Sequence, residues 1–170
     1  MLNILIPVDG SRCALEGVKY VIQESKQHEE PVHVHLVNVQ PRLSSDMTRY
    51  TRHRDVHAYQ VECAEKALLG AVNLLNEASL PHSVHMSKGD VVESIVACAQ
   101  SLRCDRIVMG TARKNAVVRF IEGSIINRVI GQSDIPVEVI AKERATLFER
   151  FAVPVGLGAG LMLLWATVTE

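Results

Sequence analysis

Leu2-Asn3-Ile4-Leu5-Ile6-Pro7-Val8-Asp9-Gly10-Ser11 is the stretch that decides the fold. Leu2–Val8 is a near-continuous apolar run, the pattern of a strand buried on both sides rather than one. It stops at Asp9-Gly10-Ser11, residues that favour a tight turn and a helix cap. Ala14, Val18, Val21 and Ile22 then recur at helical spacing, predicting a helix that runs to about His28. A buried strand followed at once by an amphipathic helix is the start of a βαβ unit.

The same alternation continues outward from that start. Glu29-Glu30-Pro31 ends the helix, and the valine-rich run Val32–Val39 predicts a second buried strand, closed by Pro41. Arg42 to Arg54 is polar, lacks alternation and reads as a loop. Val61, Ala64, Leu68, Val72 and Leu75 mark one face of a long second helix. A third strand is expected around Ser83–Ser87. Asp90, with Glu93 three residues on, matches a capping box and opens a helix whose apolar face is Val92, Ile95, Val96 and Ala99. Arg106–Met109 predicts the fourth strand, Ser124–Ile130 the fourth helix and Val137–Ala141 the fifth strand. No internal repeat is visible. The order predicts an α/β domain with a single open, five-stranded parallel sheet and helices on both faces. Right-handed crossovers place the turn at Asp9 and the turn after strand four along the carboxyl edge, where open sheets of this kind bind ligands.

Composition narrows the partners. The chain has 170 residues, long enough for one domain with a real core, and a formal net charge of -1. A surface that tracks phosphates along a nucleic acid needs a basic excess, and aromatics for base stacking amount to only 4%, so nucleic acid is not expected as a partner. Cys13, Cys63, Cys98 and Cys104 are widely spaced, with no CxxC pair, and read as reduced, mostly buried thiols of a cytoplasmic protein. The N-terminus lacks the basic region and cleavage site of a signal peptide.

The segment from Gly110 to Ser124 is the one that points to a ligand. About a dozen residues separate strand four from the next helix, where connections of about 2–6 residues are usual. A helix entered through Gly123-Ser124 offers free backbone N–H groups, a hydroxyl and the positive end of its dipole to an anion. Arg113, Lys114 and Arg119 add positive charge, and Gly110 removes a side chain where a ligand could approach the backbone. The alternative reading is an ordinary capped helix after a solvated loop.

These segments together resemble the universal stress protein family over residues 1–142. The likeness rests on Pro7-Val8-Asp9-Gly10-Ser11, on Val108-Met109-Gly110-Thr111, on Gly123-Ser124 and its helix, and on Ser133-Asp134-Ile135-Pro136-Val137 before the last strand. The resemblance implies a Rossmann-like fold, a stress-response role and, in members with Gly-x2-Gly-x9-Gly-(Ser/Thr), binding of ATP. Gly110, Gly123 and Ser124 stand at the right spacing, but Arg113 occupies the place of the second glycine. That glycine lets the loop close on phosphates, whereas an arginine strains or remodels the loop and could itself hold phosphate as a bidentate donor. By resemblance, Pro7, Val8 and Asp9 lie against base and ribose, Val39 lines the base pocket, and Gly110, Gly123, Ser124 and Ile125 face ribose and phosphates. It also implies a homodimer formed through Val137–Ala141.

Asp9 carries two readings: a ligand contact, through the base, the ribose or a phosphate-bound Mg²⁺, or a cap on the first helix. The histidines form no complete ligand set. His33 and His35 share a strand face, His53 and His57 could share a helix face, and His82 and His85 flank strand three, so surface or satisfied roles are expected and no metal. No nucleophile elbow or paired-carboxylate site is visible.

The chain after residue 142 is an addition to this domain, with 143–150 as linker. Phe151 to Val168 contains no charged residue, and as a helix its length of about 27 Å approaches a bilayer core of about 30 Å. Lys142, Arg144 and Arg150 precede it and Gly156 with Gly160 forms a GxxxG pair, so an apolar C-terminal helix tethering the domain to the inner face of a membrane is one expectation. Packing of this segment on the soluble dimer is the other. For the domain itself the leading expectation is a dimeric binding module for ATP or ADP. The alternatives are a dimeric interaction protein that binds no nucleotide, and a slow ATPase or autophosphorylating protein with Ser124 as acceptor.

Overall fold

A computed structural model of the chain describes residues 1–27, 30–41, 53–111 and 125–141, with 53–57 given as backbone alone. The elements are β1 (Leu2–Pro7), α1 (Arg12–Ser25), β2 (Val32–Gln40), α2 (His53–Glu77), β3 (His82–Lys88), α3 (Val91–Ser101), β4 (Arg106–Thr111), α4 (residues 125–132) and β5 (Val137–Ala141). All strand pairs are parallel, in the order β3-β2-β1-β4-β5. The expected open, Rossmann-like five-stranded sheet is therefore the fold of the chain.

The apolar run that opens the sequence lies at the centre of the sheet, and Ile4, Leu5 and Ile6 are fully buried. Because strand side chains alternate between faces, Ile4 and Ile6 join Val34 and Leu36 under α1 and α2, packed on Val18, Val21, Leu68 and Leu75. Leu5 points the other way, with Val37 and Ile107, onto Val92, Ile95 and Ala99 of α3 and Val129 of α4. Each such side chain removed from water is worth about 1.5–3 kcal/mol, and two faces of them are what hold a five-stranded sheet between two helical layers.

Several boundaries differ from expectation for local reasons. α1 stops at Ser25, short of His28, where the Ser25 hydroxyl donates to the Ile22 carbonyl and Gln27 N donates to the Glu24 carbonyl. α2 starts at His53, so the stretch read as loop to Arg54 overran the helix by two residues; its residues 42–52 lie outside the described ones. β3 takes in both His82 and His85, because it pairs with β2 from Val34↔His82 to Gln40↔Lys88. β4 continues to Thr111, since Gly110 and Thr111 still pair with Ile140 and Ala141 of β5. The Asp90 cap forms as expected, its carboxylate accepting from the Val92 and Glu93 amides at 2.9 and 3.1 Å. Cys104 alone of the four cysteines is buried; the others are half-buried. Burial pushes the Cys104 thiol up to about 11, which keeps it protonated.

At the amino edge of the sheet Arg106 clamps three elements. Its guanidinium is ion-paired with Glu24 at the end of α1 and, at 3.1 Å, with Glu138 on β5. Tyr20 of α1 donates its hydroxyl to Glu138, and that bond, with burial, pushes the phenol up to about 12. Removing the shared cation leaves two carboxylates turned toward the same half-buried space. Arg106→Met is expected to lower stability by about 2 kcal/mol, read as a lower urea midpoint at unchanged slope; an unchanged midpoint would show that the clamp contributes nothing.

Candidate functional site

The sheet order reverses at β1. From β1 the chain moves outward to β2 and β3, then crosses back to β4 on the other side, so the connections after β1 and β4 diverge and leave a crevice at the carboxyl edge. A cavity of about 200 Å³ occupies that crevice. Pro7, Val8 and Asp9 enter it from the end of β1, Val39 from β2, Gly110 from β4 and Ile125 from the start of the described part of α4. These are six of the nine residues that the sequence singles out. Arg113, Gly123 and Ser124 lie outside the described residues.

The walls come mostly from residues that composition and spacing did not mark. Val37, Met109 and Ile126 line the cavity together with Val91 and Ile95 of α3, so it is largely apolar. These are core side chains first, distinguishable from other core residues only by where the strands end. Asp90 ties this wall together: besides capping α3 it pairs with Arg128 of α4 at 3.4 Å, between the helix turns that present Val91 and Ile125.

Asp9 shapes the turn without being the helix cap. Its Oδ1 accepts from the Ser11 amide at 2.8 Å, while Ser11 is the N-cap of α1 and accepts from the Ala14 amide at 3.1 Å. Gly10 sits between them at φ +83°, a left-handed geometry that suits glycine. The cap reading of Asp9 is thus corrected to a turn-stabilising one: one carboxylate oxygen fixes the turn, and the residue itself is exposed at the cavity rim.

Asn38 is a polar residue of the site that the sequence did not reveal. It is 3% exposed within β2, in a strand read from its valines. Its Nδ2 donates to the Val8 carbonyl at 2.7 Å and its Oδ1 accepts from Gln40 Nε2 at 2.7 Å. The Val8 amide in turn donates to the Val37 carbonyl at 2.8 Å. Beyond the last β1–β2 pair, Pro7↔Val37, the backbone of Val8 is therefore held by β2 and by a side chain of β2. A buried amide with its groups satisfied stabilises one geometry of the cavity mouth.

Gly110 lines the cavity, and its missing side chain makes room for α1. A Cβ placed on it would stand 1.8 Å from the carbonyl oxygen of Cys13 and 2.5 Å from the Cys13 carbonyl carbon. The first turn of α1 thus rests directly on the backbone of β4, and that contact sets where the Asp9 turn sits over the crevice. The seat of α1 thus accounts for the missing side chain, while Gly110 itself stays in the cavity lining. Gly110→Ala forces α1 away from the sheet and is expected to cost about 3 kcal/mol or more, the upper range for overpacking against an unyielding neighbour. Thermal melting checks it; a variant as stable as the parent would show that α1 is free to shift.

Among the described residues no group of three or more His, Cys, Asp or Glu is arranged to hold a metal ion. The side chains of His53 and His57 lie outside those residues. Among the described residues no helix is long and apolar enough to cross a membrane, and Phe151 to Val168 lies outside them.

Known proteins share this fold. A universal stress protein of Methanocaldococcus jannaschii is 29% identical over 143 residues, which are 84% of this chain and 83% of the relative. The universal stress protein from Archaeoglobus fulgidus in complex with dAMP superposes with a TM-score of 0.57 at 22% identity, covering 82% of this chain and 98% of that one. A universal stress protein family protein from Arabidopsis thaliana with AMP bound gives 0.60 at 14% identity, over 84% and 93%. The match to the family as a whole spans residues 1–141. On the sheet order, the crevice at its reversal and this match, the chain belongs to the universal stress protein family.

Proposed function

We propose that the domain binds an adenine nucleotide in the crevice between β1 and β4, acting as a binding module rather than through chemistry on the ligand. The observation that carries this reading is the cavity itself. It lies at the reversal of the sheet, with apolar walls that suit a planar base and an acidic side chain at its rim. The relatives from Archaeoglobus fulgidus and Arabidopsis thaliana, solved with dAMP and AMP, support the class of ligand. Gly123-Ser124 and Arg113, which lie outside the described residues, are assigned the phosphates of ATP or ADP, with Mg²⁺ as counter-ion, on the family resemblance alone. Pro7, Val8 and Val39 pack on the base, Gly110 and Ile125 face the ribose, and Asp9 accepts a hydrogen bond from a ribose hydroxyl or a base amine.

A second reading is favoured by Arg113 at the place of a loop glycine: a family member that binds no nucleotide and acts by pairing with its own copy. β5 lies at the edge of the described sheet, and its Val139 is 40% exposed, which fits pairing through Val137–Ala141. Attachment of the domain to a membrane by Phe151 to Val168 is compatible with either reading. It is tested by whether the full chain sediments with membranes until detergent is added.

Isothermal titration of the full chain with Mg-ATP, ADP and AMP separates the two readings. Nucleotide binding is expected to give saturable heat and a raised melting temperature, since ligand at about 100 times Kd adds about 2.7 kcal/mol of stability. Asp9→Ala should weaken binding about tenfold, the value of a hydrogen bond to a charged group. Arg113→Gly tightens binding if the arginine obstructs the loop and weakens it if the arginine holds phosphate. No heat and no thermal shift at millimolar ligand would overturn the proposal and leave the pairing module.

A further inference from the structure

Away from the crevice, the α3 side of the sheet carries three imidazoles in contact. His33 and His35, two apart on β2, have ring centroids 4.7 Å apart, and His35 and His85 of β3 are 5.3 Å apart. His35 Nδ1 and His85 Nε2 share a hydrogen bond of 3.1 Å, and His33 Nε2 bonds the Ser83 hydroxyl at 2.9 Å. All four residues are half-buried. The rings are bonded to one another and to Ser83 instead of converging on a common point, in keeping with the absence of a metal arrangement among the described residues.

We propose that His33, His35 and His85 form a proton-operated latch that holds the edge strand β3 to the sheet. In the neutral pair one ring donates to the other. A first proton leaves that bridge intact, with one donor and one acceptor. A second proton leaves two N–H donors and two positive charges facing each other across the same gap, beside His33, and the contact must open. β3 pairs only with β2 in the described sheet, so it is the strand free to move.

Among the described residues, the groups around the trio do not neutralise that charge. From β1, Asn3 and Leu5 lie on the same face; from β3, Ser83 and Ser87 do. α3 offers Val92, Ile95, Val96 and Ala99 to the sheet; its ionisable groups are Glu93, exposed in the first turn, and Cys98, whose thiol burial pushes up. Asp105 sits at the amino edge, where its carboxylate accepts from the Asn3 amide. His82 is engaged with the Leu80 carbonyl. Burial, followed by the neighbouring imidazoles, holds His35 below its ordinary 6.5, and burial with His33 does the same for His85. A lowered folded-state value means that the unfolded chain takes up protons first as pH falls. The stability contributed by the neutral His35–His85 pair is therefore present above about pH 6.5 and is lost progressively below it.

The test follows amide hydrogen exchange and thermal melting of the full chain from pH 8 to pH 5, in EDTA, for the parent and for a His35→Gln, His85→Gln double variant. Exchange rates are corrected for the intrinsic effect of pH. The parent is expected to lose protection selectively at β3 amides as pH falls below about 6.5, and to lose melting temperature more steeply than the variant. Parallel pH profiles for parent and variant, or loss of protection spread evenly over the sheet, would overturn the latch. Imidazole titrations of the parent by NMR need no variant that folds. They should place His35 and His85 below 6.5, and ordinary or raised values for the pair would also overturn it.

Discussion

The contact on which the site depends is the seat of α1 on β4. The Cys13 carbonyl occupies the place where any side chain at position 110 would begin, so helix and strand meet backbone to backbone. Interiors packed at this density shift as units rather than deform gradually. With the first turn of α1 fixed against β4, Asp9-Gly10-Ser11 has one available path from the end of β1, and the crevice takes its width from that path. The glycine is thus a condition of the site as well as part of its lining.

A second constraint comes from β2. Its Asn38 reaches across to the Val8 carbonyl, and Val8 is the first residue of the chain after β1 has ended. An unmade hydrogen bond at this depth costs about 1–3 kcal/mol, so the carbonyl and the amide keep one another in place. The same strand carries His35 two residues before Val37, which lines the cavity. Support for the crevice and support for the edge strand therefore run through a single element, β2.

The fold was legible because its evidence is local. Leu2–Val8 is apolar nearly throughout and Val32–Val39 is rich in valine, as strands covered on both faces are, and the helices between them carry one apolar stripe each. The fifth strand, Val137–Ala141, ends where the sequence ends it. Six expected site residues also meet at one cavity, because the carboxyl edge of a parallel sheet collects the ends of its strands whatever lies between them. What was hidden depends on pairs distant in sequence. A polar Asn38 inside a strand looks like an interruption until its partner, thirty residues earlier, is known. His33 and His35 visibly share a face, but the bond to His85 follows only from the β2–β3 register, in which His35 lies opposite Ser83 and His85 is its diagonal neighbour. The contact of Gly110 with α1 was hidden as well, because a glycine that admits a ligand and one that admits a helix are written alike.

Nucleotide recognition at the reversal of the sheet is the central claim, and chemical-shift mapping by NMR tests it most directly. Titration of the ¹⁵N-labelled chain with AMP, the smallest nucleotide that carries base, sugar and phosphate, reports on each wall of the crevice separately. The account predicts saturable shifts concentrated at the amides of Val8 to Ser11, Asn38 and Val39, Gly110, and Ile125 and Ile126, with β3 and the amino edge around Arg106 unmoved. Shifts that fail to saturate, or that gather away from these residues, would contradict it.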